Sequence, residues 1–107
     1  MQNLSGYWVG ELEGTNQGGF AITIEQNGDK ISGSGRFSER GLGTYEYSLT
    51  GTVNYPDVSI SLTPKPGHNP LLILGPVKVN GQINDEGKIT GRWRSSIGTE
   101  GIFTAHR

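Results

Sequence analysis

Two histidines, ten carboxylates and no cysteine are the side chains of this 107-residue chain that could move protons or hold a metal. Their placement supports neither task. His68 lies in the proline-rich "PKPGHNP" and His106 beside the last residue, so a shared site would need the fold to join distant segments. Glu11 and Glu13 stand two apart, the spacing of two neighbours on one wet face of a strand. No Ser/His/Asp arrangement and no metal-ligand spacing is present, so the reading is not an enzyme, with no metal and no cofactor. Without cysteine there is neither a disulfide framework nor a thiolate metal site. The chemistry that remains is stacking and hydrogen bonding. Its strongest carrier is "ITGRWRSSIGTEG", which sets Trp93 two residues after a glycine and just before a small polar loop holding Ser95 and Thr99.

What positions Trp93 follows from patterning. A chain this short forms a single domain, 1–107. Its 18 glycines far exceed the usual ~7%. They are interspersed with aromatic and β-branched residues, which is not the composition of a linker or a disordered tract. Period-two alternation runs through the chain: Trp8, Gly10, Leu12; Phe20, Ile22, Ile24; Ile31, Gly33, Gly35, Phe37. It continues through Tyr45, Tyr47, Leu49, Gly51, Val53; Val58, Ile60, Leu62; Val77, Val79, Gly81, Ile83; Ile89, Gly91, Trp93, Ser95; and Phe103, Ala105, Arg107. No segment shows a helical stripe. The pattern predicts an all-β fold of eight strands, each with one buried and one wet face.

Turn chemistry orders the strands. Asn27-Gly28, Asn54-Tyr55-Pro56-Asp57 and Asn84-Asp85-Glu86-Gly87 are tight connections. Longer ones, at 14–19, 38–43, 63–70 and 95–101, alternate with them. In an up-and-down meander, alternate connections lie at opposite ends, so one end is tightly turned and the other looped. A meander of eight strands with one apolar face removes its exposed edges by closing into an antiparallel β-barrel. The "LLIL" at 71–74, followed by Gly75-Pro76, breaks the alternation. A bulge or edge is expected there, and two readings stay open: a strand start under a loop, or an apolar interface between copies of a homo-oligomer.

Small barrels alternate large and small inward residues, which accounts for the repeated apolar-x-Gly-x-apolar pattern at Gly33, Gly51, Gly81 and Gly91. Strand direction puts Trp8 and Arg107 together at the tight end, where a guanidinium over an indole would close the barrel. The same argument puts Trp93 and Ser95 near the looped end, level with Leu12, Phe20, Phe37, Tyr45 and Leu62. An apolar, aromatic wall with a few hydroxyls describes a small-molecule pocket and equally a plugged barrel mouth.

The segments "LSGYWVGELEG", "ISGSGRFSERGLGTYEYSLTGTV" and "ITGRWRSSIGTEGIFTAHR" resemble the first, third-to-fourth and last two strands of the avidin–streptavidin family, within the calycin superfamily that also holds the lipocalins. The resemblance covers most of the chain. It implies an eight-stranded barrel binding biotin at its looped end, often as a tetramer. Trp93 matches a ligand-contacting tryptophan of that family. The family's ureido-binding asparagine and serine of the first strand correspond to Gly10 and Gly14, and its tyrosine and serine of the third to Gly35 and Phe37. Its final-strand aspartate corresponds to Gly101, and the loop carrying its tryptophan lid is missing. Each missing polar partner is worth about 1–3 kcal/mol to a buried polar ligand, so the ligand expected here is not biotin.

The resulting expectation is a non-enzymatic, avidin-like ligand-binding barrel. Its site residues are Trp93, Tyr45, Phe37, Phe20 and Ser95, with Asn16, Arg40, His68 and Thr99 supplied by the loops. The alternative is a filled barrel acting as a structural or interaction module through outward Tyr7, Val9, Leu72 and Leu74, or by oligomerising. A net charge of −1 gives no footprint for nucleic acid or an anionic membrane, and no apolar run reaches the ~20 residues of a membrane helix. "MQNLSGYW" has neither a basic segment nor an apolar one of the secretory kind. A cytoplasmic location is the default expectation, with secretion after removal of a leader left open.

Overall fold

The computed structural model describes residues 3–14, 17–39, 43–65 and 76–107. Its strands are β1 (Gly6–Gly14), β2 (Gly18–Asn27), β3 (Lys30–Glu39), β4 (Gly43–Asn54), β5 (Asp57–Pro64), β6 (Val77–Ile83), β7 (Ile89–Ser95) and β8 (Glu100–His106). Each pairs antiparallel with the next, and β8 returns to β1, closing an eight-stranded up-and-down barrel. At the coarse level this is a calycin-like architecture. Alternation selects the faces as expected: along β7, Ile89, Trp93 and Ser95 are buried while Thr90, Arg92 and Arg94 are exposed. Glu11 and Glu13 are exposed on the outer face of β1.

The end carrying the tight turns is sealed by a compact group. Leu4, just before β1, is fully buried, and its carbonyl accepts the indole N–H of fully buried Trp8 at 2.8 Å. The Arg107 guanidinium lies 4.7 Å from the centre of the Trp8 ring and also donates to the Asn3 carbonyl. The turns beside them are tied to their neighbours by Val53 N–H donating to the Asp29 carbonyl at 2.7 Å and Ile83 N–H donating to Pro56 at 2.9 Å. The expected Trp8/Arg107 closure is therefore present, and Leu4 completes it.

The opposite end differs from expectation in loop length. Residues 14–19 and 38–43 were expected as loops, yet β1 runs to Gly14, β2 resumes at Gly18, β3 extends to Glu39 and β4 begins at Gly43. Glycine suggests a turn because strands disfavour it. Here it permits close pairing instead: a Cβ on Gly18 would lie 2.1 Å from the Ser38 carbonyl oxygen. The strand start expected at 71–74, and Leu72 and Leu74 with it, lies outside the described residues. The described part of β6 begins just after Pro76, whose carbonyl accepts the Ser96 N–H at 2.9 Å. Proline at a strand's entry avoids the donor it lacks.

Candidate functional site

Strand pairing carries the inward residues around the barrel in register. Phe37 stands opposite both Phe20 and Tyr45, Gly35 opposite Ile22 and Tyr47, and Trp93 opposite Val79 and Gly101. Directly opposed residues share a face, so these pairs set successive rungs of inward side chains. Phe20 and Phe103 meet edge to face, with ring centres 6.4 Å apart and planes at 62°. That contact needs Gly10, because a Cβ there would sit 2.6 Å from the tip of the Phe20 ring.

Between these side chains is a cavity of about 80 Å³. Phe20 and Ile22 of β2, Phe37 of β3, Tyr47 and Leu49 of β4, Val79 of β6, Trp93 of β7 and Phe103 of β8 contribute to its wall. Leu12 and Leu62 also line it and, with Phe20 and Ile22, are only partly buried. The wall therefore runs from the sealed core toward solvent at the looped end. Among the described residues no charged side chain is buried, and Arg36, which borders the cavity from the outward-facing set of β3, is exposed. A space of this size would hold water only with polar partners to bind it, and an apolar one stays dry.

One residue of this wall carries an unusual buried polar atom. The Trp93 side chain is buried, with 3% of its surface exposed, and its indole Nε1 has no hydrogen-bond partner among the described residues. The contrast with Trp8, whose Nε1 is bonded to Leu4, is direct. Buried donors are nearly always paired, and leaving one unpaired costs about 1–3 kcal/mol. Tyr47 adds a second special group: burial pushes its phenol pKa up, and neighbouring Tyr45 pushes in the same direction.

The structure divides the residues expected at the site into three groups. Trp93, Phe37 and Phe20 come together on the cavity wall. Tyr45 is buried at the same level without lining the cavity. Ser95 and Thr99 are turned to each other, their hydroxyl oxygens 2.5 Å apart and the Thr99 N–H donating to Ser95 Oγ at 3.2 Å. They fasten the β7–β8 turn, and neither lines the cavity. Asn16, Arg40 and His68 lie outside the described residues. His106 is exposed at the sealed end. Tyr47, Leu49 and Val79 line the cavity without having been singled out, although the alternation in "TYEYSL" already placed Tyr47 inward. Among the described residues no three acidic or histidine side chains gather as a metal site would require.

No protein-family model matches the chain, and no curated protein matches its sequence.

Proposed function

We propose that this protein is a non-enzymatic small-molecule-binding barrel of avidin-like architecture, receiving its ligand at the looped end. The observation that carries this reading is the apolar cavity inside the barrel, walled among others by Phe20, Phe37, Tyr47 and Trp93, while one end of the barrel is sealed by Leu4, Trp8 and Arg107. A barrel of this strand number is just wide enough to fill with side chains or to hold one small ligand. Space left unfilled inside the barrel favours the second.

The avidin resemblance extends to architecture and to Trp93, and biotin is not the ligand. At Gly10 the Phe20 ring and the β8 backbone occupy the space a polar side chain would need. At Gly101 a Cβ would lie 1.8 Å from the Glu13 carbonyl oxygen. These two positions of the family's ureido contacts are therefore closed by packing as well as lacking polar atoms. The rival reading of an interaction module is not favoured by the exposed apolar residues. Among the described residues the exposed large apolar side chains are split between the two ends, Tyr7 and Tyr55 toward the sealed end and Ile97 and Ile102 toward the other, so they form no single patch.

Native mass spectrometry of the purified protein tests this reading. The expected result is a co-purified small molecule, or uptake of a small neutral ring compound, with no complex on adding biotin. Trp93→Ala should abolish that binding while the far-UV circular dichroism remains that of a β-sheet. A wild-type protein that carries nothing, and whose Tm no compound of this class raises, would overturn the reading.

A further inference from the structure

On the outside of the barrel, β6 and β7 carry Lys78, Arg92 and Arg94 and no carboxylate, whereas β1 carries Glu11 and Glu13 and no cation. In a chain of net charge −1 this is a segregation of charge, and the three cations line one shallow groove over β6, β7 and β8. We propose that this groove binds an extended acidic segment of a partner protein, whose carboxylates on alternate residues meet Lys78, Arg92 and Arg94. All three cations are exposed. Among the described residues only Arg94 has a carboxylate partner, Glu100 at 3.1 Å, which leaves Lys78 and Arg92 without one. Lys78 stands directly opposite Arg94, and Arg92 directly opposite Asn80. Like charges directly opposed destabilise a sheet, so folding alone gives no reason for the Lys78/Arg94 pair, and an anionic partner would offset its cost.

Geometry sets the repeat of the partner. Lys78 and Arg94 share one rung and Asn80 and Arg92 the next, so the cationic rungs are about 7 Å apart along the strands. Alternate side chains on one face of an extended peptide have the same repeat. Each guanidinium can give a carboxylate two parallel N–H bonds. Beyond the cations, Thr90 faces Gln82, whose amide donates to Asp57 at 2.9 Å, so that end of the groove suits uncharged residues. β6, β7 and β8 are each paired on both sides, so recognition runs through side chains and not by adding a strand. Single-stranded nucleic acid is the competing polyanion, and it binds through aromatic faces on which its bases stack. The groove offers none: Trp93 is the one aromatic residue along it, and its side chain is buried.

An acetylated, amidated hexapeptide alternating glutamate and threonine is the probe, titrated calorimetrically at low salt. Binding is expected at ~0.01 M ionic strength and should vanish at ~1 M, where the screening length falls from about 30 Å to about 3 Å. The same peptide with glutamine for glutamate should not bind. In ¹H–¹⁵N spectra the acidic peptide should shift the amides of Lys78, Asn80, Arg92 and Arg94 and leave those of β2 and β3 in place. Lys78→Gln and Arg92→Gln should each weaken binding about threefold. Lys30→Gln removes the same charge at the start of β3 and should change binding by less than about 1.5-fold. Lys78→Gln should also keep or raise Tm, because it relieves the opposition to Arg94. No binding of the acidic peptide at low salt, shifts spread away from β6 and β7, or equal weakening by all three variants would overturn the proposal. Oligothymidylate binding more tightly than the peptide would overturn it too, making the groove a nucleic-acid site.

Discussion

At the scale of single residues, the candidate site combines groups whose visibility in the sequence differs. Trp93, Phe37 and Phe20 were legible because inward alternation and strand direction together set their height. Ser95 and Thr99 were legible as hydroxyls near the mouth, yet their mutual hydrogen bond depends on the curl of the β7–β8 turn. The unpaired state of Trp93 Nε1 was not legible at all, since it depends on every neighbour within bonding distance. Tyr47 supplies a prediction at this scale. Its folded-state pKa is raised above the ordinary 10.0 by burial and, secondarily, by Tyr45. The folded protein therefore holds the phenolic proton more tightly than the unfolded chain does. The associated stability is fully present below about pH 10 and is lost as pH rises through the folded-state value. Tyr47→Phe removes this proton, so its urea midpoint should fall less steeply than the wild type's above pH 10.

At the scale of elements, the glycines set how closely strands approach. The sequence reading assigned Gly33, Gly51, Gly81 and Gly91 to making room for inward aromatics. The structure gives a more local reason: a Cβ would meet the neighbouring strand's carbonyl oxygen at 1.8 Å on Gly33, 2.2 Å on Gly51 and 2.1 Å on Gly91. Gly81 is directly opposite Gly91, so β6 and β7 touch backbone to backbone. This lets a strand coil sharply enough to close the barrel. Gly101→Ala should accordingly force β1 and β8 apart, destabilising the fold by about 1–3 kcal/mol and lowering Tm by roughly 5–20 °C. Gly19→Ala is the control, because its Cβ would make only an ordinary contact, 3.7 Å from the Gly10 carbonyl oxygen. That variant should keep or slightly raise Tm, since alanine narrows the unfolded ensemble. Calorimetry of the two variants separates crowding from simple loss of glycine.

At the scale of the whole molecule, closure of β1 onto β8 makes the end groups of the chain part of the core. Phe103 and Ala105 of β8 are buried, and Arg107 covers Trp8. Removing residues 100–107 would strip partners from β1 and β7 together and leave both as unpaired edges. The expected outcome is loss of near-ultraviolet circular dichroism and aggregation on size exclusion, because no remaining strand can close the sheet. A soluble, monomeric truncation would show that the barrel tolerates opening. By itself the sequence determined strand number, inward faces and the Trp8/Arg107 closure. These follow from a period of two and from turn chemistry, which are local rules. Only the tertiary structure decided the rest: the short β1–β2 and β3–β4 links, Leu4 as the plug, the cavity and the solitary indole N–H. Those features are gaps or their absence between elements distant in sequence, and unfilled space has no residue to announce it.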